Sequence, residues 1–264
     1  MHFLLVTLIV VGCLVGFLSG LIGIGGGIVV VPALVLLFDH FGMPIGVDMR
    51  MAVGTSLAVM IFTTLRSLLA HLKYKVEFWS IAHYLVLPVG IGVIVSGIIA
   101  HYMDPEILRL IFATFLLFVS LRLLLEGPDK KRRTLPRPPV LVAAGFVMGS
   151  ISGLLGVGGS STTIPFLSYF DVSMRKAVMV AICVGIVVSI VGTVTFILTG
   201  LYHGGLPKYS IGYVNWPAWI VLSVSSMLVA PWGVRFSHHL PTYKLRKIFA
   251  VFVLFVCVHM FWSL

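Results

Sequence analysis

Two segments of this chain combine glycines with a proline in a way that suits one kind of chemistry, the holding of an anion by backbone amides. Gly20-Leu-Ile-Gly-Ile-Gly-Gly-Gly-Ile-Val-Val-Val-Pro32-Ala-Leu34 aligns without gaps on Gly153-Leu-Leu-Gly-Val-Gly-Gly-Ser-Ser-Thr-Thr-Ile-Pro165-Phe-Leu167. Seven of fifteen positions are identical at a constant offset of 133. A glycine-dense break lets a ligand come close to the chain. It also starts a new half-helix, whose first N–H groups and positive dipole end face whatever fills the gap. Such an end binds an anion without a buried lysine. Pro32 and Pro165 are expected in the early helix, where a missing N–H costs little.

The second copy adds hydroxyls. Gly27-Ile-Val-Val becomes Ser160-Ser161-Thr162-Thr163, four O–H donors in a row where the first copy is apolar. The candidate substrate-binding residues are therefore Gly23, Gly25, Gly26 and Gly27 from the first break. Gly156, Gly158, Gly159, Ser160, Ser161 and Thr162 supply the second. Thr55 and Ser56 follow the first motif and extend a polar wall; the matching Val180 and Ala181 are apolar, so that wall is one-sided. The competing reading is close packing, since small residues let membrane helices touch and Ser/Thr often bond back to their own helix. Two copies, each ending in proline, favour the site.

These breaks sit inside long apolar runs. Hydrophobic residues make up 59% of the chain and charged residues 10%, against roughly 25% charged in soluble domains. Apolar stretches recur at 1–38, 51–70, 78–100, 107–125, 139–170, 177–199, 214–234 and 248–264, each long enough for a helical span of about 20 residues. The expected fold is all-α, a polytopic membrane protein. Irregular chain survives in lipid only where it is buried or lines a cavity, and paired glycine-interrupted segments in matching halves are a pointer to a transporter's binding site.

The duplication extends beyond the glycines. Asp48-Met-Arg50 matches Ser173-Met-Arg175, Gly97 with Pro105 matches Gly233 with Pro241, and Leu108–Phe112 matches Leu245–Phe249. The chain divides into a first transmembrane repeat at 1–126, a basic linker at 127–138 and a second repeat at 139–264. Each repeat is a broken or re-entrant Gly-rich segment plus three further spans. If each half crosses an odd number of times, 15 of the 18 Lys and Arg fall on one side and only Arg50, Arg109 and Lys208 on the other. An even number gives a split of 10 against 8. Short-loop Lys/Arg bias sets orientation, so the repeats are read as inverted, with the linker cytoplasmic and both termini outside. The net charge of +10 is thereby a topology signal, with no nucleic acid implied.

Other ionisable groups are secondary candidates. Arg50 and Arg175 hold equivalent places at span starts and are candidates for anion recruitment, against ordinary interfacial snorkelling. His83 lies within an apolar run and is a candidate proton relay. Asp39, Asp48, Asp104 and Asp171 all fall in loops, which argues against a carboxylate cation site. Cys13, Cys183 and Cys257 form no CxxC pair, so neither a metal site nor a cofactor is expected. No nucleophile–base pair or metal cluster stands out as catalytic, and no P-loop supplies nucleotide energy, so the chain is read as a transporter rather than an enzyme.

The duplicated motifs, Ala52-Val-Gly-Thr-Ser-Leu57 and the Gly97…Pro105 and Gly233…Pro241 ends together resemble the TauE/SafE family, the sulfite exporter (TSUP) permeases. That resemblance implies a bacterial inner-membrane carrier of a small inorganic or organic sulfur anion, such as sulfite or an organosulfonate, with export the usual direction. The expected mechanism is alternating access around a midplane site. A proton or sodium ion is the candidate coupling ion, the bilayer is the surrounding partner, and a homodimer is left open. The alternative is an anion channel or lipid-head-group translocase of the same architecture.

Overall fold

The computed structural model describes residues 2–22, 26–40, 45–71, 76–125, 134–170, 172–201, 203–237 and 242–262. The described chain is helical throughout, apart from one small hairpin. The first half contributes α1 (His2–Ile22), α2 (Gly27–His40), α3 (Ile45–His71), α4 (Trp79–Tyr102) and α5 (Pro105–Leu125). The second contributes α6 (Pro138–Leu155), α7 (Ser160–Tyr169), α8 (Met174–Gly200), α9 (Trp216–Ser237) and α10 (Thr242–Trp262). Strands β1 (Ser210–Ile211) and β2 (Val214–Asn215) pair antiparallel between α8 and α9. Among the described residues, four helices are long and apolar enough to cross a bilayer: Met49–Leu69, Trp79–Tyr102, Pro138–Leu155 and Met174–Gly200. The outward faces of these helices carry Leu69, Leu87, Ile98, Val147 and Leu198, all exposed, as expected where the solvent is lipid.

Both glycine segments interrupt helix, and the new helices start at equivalent residues, Gly27 and Ser160, 133 positions apart. With 14 and 10 residues, α2 and α7 extend only about 21 and 15 Å at 1.5 Å per residue. Neither reaches across a hydrocarbon core of about 30 Å; both are half-helices. The prolines do not fall where the sequence suggested. Pro32 and Pro165 are each the sixth residue of their helix, because the helix restarts immediately after Gly26 and Gly159. There the missing N–H leaves the carbonyl four residues earlier, on Ile28 and Ser161, without its intrahelical donor.

Packing repeats with the sequence. Helix α1 lies on α9, and its counterpart α6 lies on α4. Small residues make both contacts. A Cβ at Gly12 would lie 2.7 Å from Ser225 Cβ, and one at Gly149 would lie 2.7 Å from Val89 Cα. Such close backbone approach is how helices associate in lipid, where no hydrophobic force acts between them. The partners also give direction. Gly145 meets Leu85, Gly149 meets Val89 and Gly153 meets Val93, so α6 and α4 run parallel. On α3 and α8 the order reverses: Gly54 meets Phe196, Leu57 meets Gly192 and Thr64 meets Gly185. The equivalent helices α3 and α8 therefore cross in opposite senses at the centre of the molecule.

Candidate functional site

The two restarting helices begin with the same hydrogen bond. The carbonyl of Gly26 accepts from the Val30 amide at 2.9 Å, and the carbonyl of Gly159, its equivalent, accepts from the Thr163 amide at 2.9 Å. Upstream, α6 is closed by Gly156 in the left-handed region at φ 62°, with its N–H bonded to the Ser152 carbonyl. This is the turn glycine performs without steric cost at a helix C-terminus. Within the first turns, the Val29 amide donates to the Gly26 carbonyl and the Ser161 amide to the Gly158 carbonyl, both at 3.0 Å. Gly23 and Gly25 lie outside the described residues.

The two breaks touch. A Cβ at Gly27 would sit 2.6 Å from the Gly156 carbonyl oxygen, 2.9 Å from Val157 Cα and 3.0 Å from Met60 Sδ. Only a glycine fits there. The Ser56 hydroxyl donates to the same Gly156 carbonyl at 3.0 Å, bridging 100 residues of chain from one half to the other. On the far side, a Cβ at Gly159 would meet Val184 Cγ1 at 2.6 Å and Gly185 N at 2.8 Å. Val53, Ser56 and Met60 lie within the span Met49–Leu69, and Val184 within Met174–Gly200. The start of α2 thus packs on the turn that closes α6, beside Met60 of α3, while Gly159, the residue before α7, packs on Val184 and Gly185 of α8.

Comparison with known proteins decides the family. The family model described as "Sulfite exporter TauE/SafE" matches residues 8–260. The chain belongs to this family. It is 32% identical over 260 residues, 98% of both chains, to a "Probable membrane transporter protein" of Haemophilus influenzae. It is also 32% identical over 249 residues, covering 92% of this chain and 90% of the other, to a probable membrane transporter protein of Methanocaldococcus jannaschii. YunE of Bacillus subtilis, with the same description, is 29% identical over 215 residues, covering 74% of this chain and 79% of its own. No solved structure matches. A membrane-embedded transporter is what the family, the relatives and the apolar helices establish.

In this TauE/SafE protein the hydroxyls divide into two groups. Ser160 and Ser161 are partly exposed at the start of α7. Thr162 turns back, its Oγ1 donating to the Gly159 carbonyl at 3.2 Å and lying 3.3 Å from Ser152 Oγ, the helix-bonding habit of buried Ser and Thr. Thr163 is fully buried and its Oγ1 has no hydrogen-bond partner; the run of hydroxyls announced it, but its burial is a tertiary fact. Ser56 and Thr55 are both fully buried. Ser56 fastens the second break, whereas Thr55 accepts from the Asn215 amide at 3.1 Å and so faces the hairpin.

The secondary candidates lie apart from the joined breaks. Arg50 is 7% exposed, donating from Nε to the Ala100 carbonyl at 3.0 Å and from Nη2 to the Met103 carbonyl at 2.6 Å. The guanidinium completes the C-terminal end of α4, where a cation suits the helix dipole. Its equivalent differs: Arg175 is exposed in the first turn of α8. His83 is exposed on α4, its ring 3.8 Å from that of Tyr84 and its Nδ1 bonded to the Trp79 carbonyl. It shares no contact with the breaks. One cluster escaped sequence reasoning altogether. His101 Nδ1 and the Tyr213 hydroxyl share a hydrogen bond at 3.0 Å, with His203 and Arg50 beside them. Burial pushes the Tyr213 phenol above its ordinary range, with Arg50 pulling the other way.

Proposed function

We propose that this chain is a secondary transporter, in the export direction, of a small sulfur-containing oxyanion such as sulfite or an organosulfonate. Two inverted-topology repeats, 1–126 and 139–264, rock about the joined breaks. The observation that carries the reading is the apposition of Gly27 with Gly156 and Val157. It sets the start of α2 against the turn that runs into α7 three residues later, and the positive dipole ends of α2 and α7 are the features of this region that favour an anion. Ser160 and Ser161 add donors that suit the several oxygens of an oxyanion. The antiparallel crossing of α3 and α8 supports inversion, because equivalent helices of a parallel repeat would run the same way. The sulfur anion itself is taken from the description of the family.

Orientation follows from charge. Arg50, the Met103 turn and the hairpin with Lys208 gather at one end of the molecule. These are positions of the lysine- and arginine-poor side, which we place outside the inner membrane, leaving linker 127–138 cytoplasmic. A reporter fused after Leu264 is then expected to read external; a cytoplasmic signal contradicts the inversion.

The transport reading is tested with purified protein in liposomes. Labelled sulfite or a small sulfonate is expected to enter with saturation. Uptake should vanish in Gly159→Leu, whose side chain has no room against Val184 and Gly185. Cation currents without any effect of sulfur anions would contradict the proposal.

A further inference from the structure

Between α8 and α9 the second half carries a hairpin whose interior end is buried. Tyr213 is fully buried, Val214 is 4% exposed and Asn215 9%, whereas a Cβ added at Gly204 or Gly205 in the preceding loop would meet nothing within 4 Å. The buried end lies across the central helices. The Tyr213 carbonyl rests on Gly54 of α3, Gly200 of α8 rests on the Tyr213 amide, and Phe196 lies edge-on to the Tyr213 ring. The Asn215 amide donates to Thr55 at 3.1 Å, one residue before the Ser56 that holds the Gly156 carbonyl. The hairpin therefore sits directly over the polar layer next to the joined breaks, at one end only of the α3–α8 pair.

Its fastening is made of titratable groups. The Tyr213 hydroxyl is bonded to His101 Nδ1 at 3.0 Å. The His203 ring lies 5.5 Å from Tyr213 and 6.1 Å from His101, and the Arg50 guanidinium lies 5.9 Å over the Tyr213 ring. The other neighbours of His101 add no compensating charge. Tyr102, next to it on α4, meets it edge-on, and Asp104 in the following turn is exposed and accepts from the Glu106 amide. With neutral imidazoles Arg50 is the one fixed charge of this group. Protonating both histidines sets three positive charges around a single phenol, and like charges this close repel in a poorly hydrated site.

We propose that the hairpin Ser210–Asn215 is a gate over one end of the transport path, held shut by Tyr213 against His101 and released when His101 and His203 take up protons. The gate rests on reading the joined breaks as a path. Its test records thiol access instead of transport, so failure of the anion reading and failure of the gate give different results.

The test uses full-length protein in detergent, with Cys13, Cys183 and Cys257 replaced by alanine and one new cysteine at a time. Maleimide labelling of Val214→Cys, at the buried end, is divided by that of Gly204→Cys, on the open loop, which cancels the effect of pH on thiol reactivity. The ratio is expected to rise about tenfold from about pH 8 to about pH 5 as the imidazoles take up protons. His101→Gln and His203→Gln should each flatten the rise. Tyr213→Phe, which keeps the ring and loses the hydroxyl, should give a high ratio already at the alkaline end. Should His101→Gln fail to yield monodisperse protein, His203→Gln carries the same test. A ratio indifferent to pH in the parent, or an undiminished rise in His203→Gln, overturns the gate.

Discussion

Replacing Gly27 by valine is expected to abolish anion uptake while leaving the protein folded and in the membrane. The added Cβ would lie 2.6 Å from the Gly156 carbonyl oxygen and 2.9 Å from Val157 Cα. Both are backbone atoms, so no side-chain rotation relieves the clash. One half-helix must retreat from the other. Overpacking of this kind costs about 1–3 kcal/mol, and on the proposed reading it also displaces the start of α2 from the anion. Interactions that depend on fixed geometry fall steeply with a displacement of about 1 Å, by roughly a hundredfold in rate. Gly204→Val is the matched control, since a Cβ there meets nothing within 4 Å. Liposome uptake of labelled sulfite checks the pair: it should be lost in Gly27→Val and kept in Gly204→Val.

A second large effect is expected on stability. Arg50→Leu removes a buried guanidinium that serves the carbonyls of Ala100 and Met103. Those carbonyls close the end of α4, and burying them unpaired costs about 1–3 kcal/mol each. The loss should appear as a lower midpoint of thermal unfolding for purified protein. Arg50→Lys is expected to recover only part of it, because an ammonium does not reproduce the fixed fork that reaches two carbonyls at once. If Arg50→Leu unfolds at the parent temperature, the guanidinium's bonds are incidental. The same substitution removes the charge over Tyr213, so it also weakens any response of the hairpin to pH.

The joined breaks were legible in the sequence because both ends of that contact carry the same written sign. A glycine run at 23–27 and another at 156–159 mark where helix must stop, and duplication implies a symmetry that brings the marks together. The spacing of 133 survives in the structure down to the residue at which each new helix begins. Positions whose roles depend on which way a side chain faces were not legible. Hydropathy puts His83 within a span but says nothing of its face, and it is exposed. Arg50 and Arg175 are equivalent in the alignment, yet one is buried on α4 carbonyls and the other is exposed. Thr55 and Ser56 are adjacent hydroxyls, but a helix turns neighbours about 100° apart, so one meets the break and the other the hairpin. The hairpin itself, with Tyr213 and His101 joined across 112 residues, lies in a long connection between α8 and α9, whereas α3 and α4 are joined by a shorter one.

Counting bound anions reaches the centre of the account most directly. Calorimetric titration of the purified chain with sulfite is expected to give one site per chain, and to lose it in Gly27→Val and in Gly159→Leu alike, because both half-helix starts hold the same charge. Two independent sites per chain, or unchanged sulfite binding when only one of the two breaks is blocked, would contradict it.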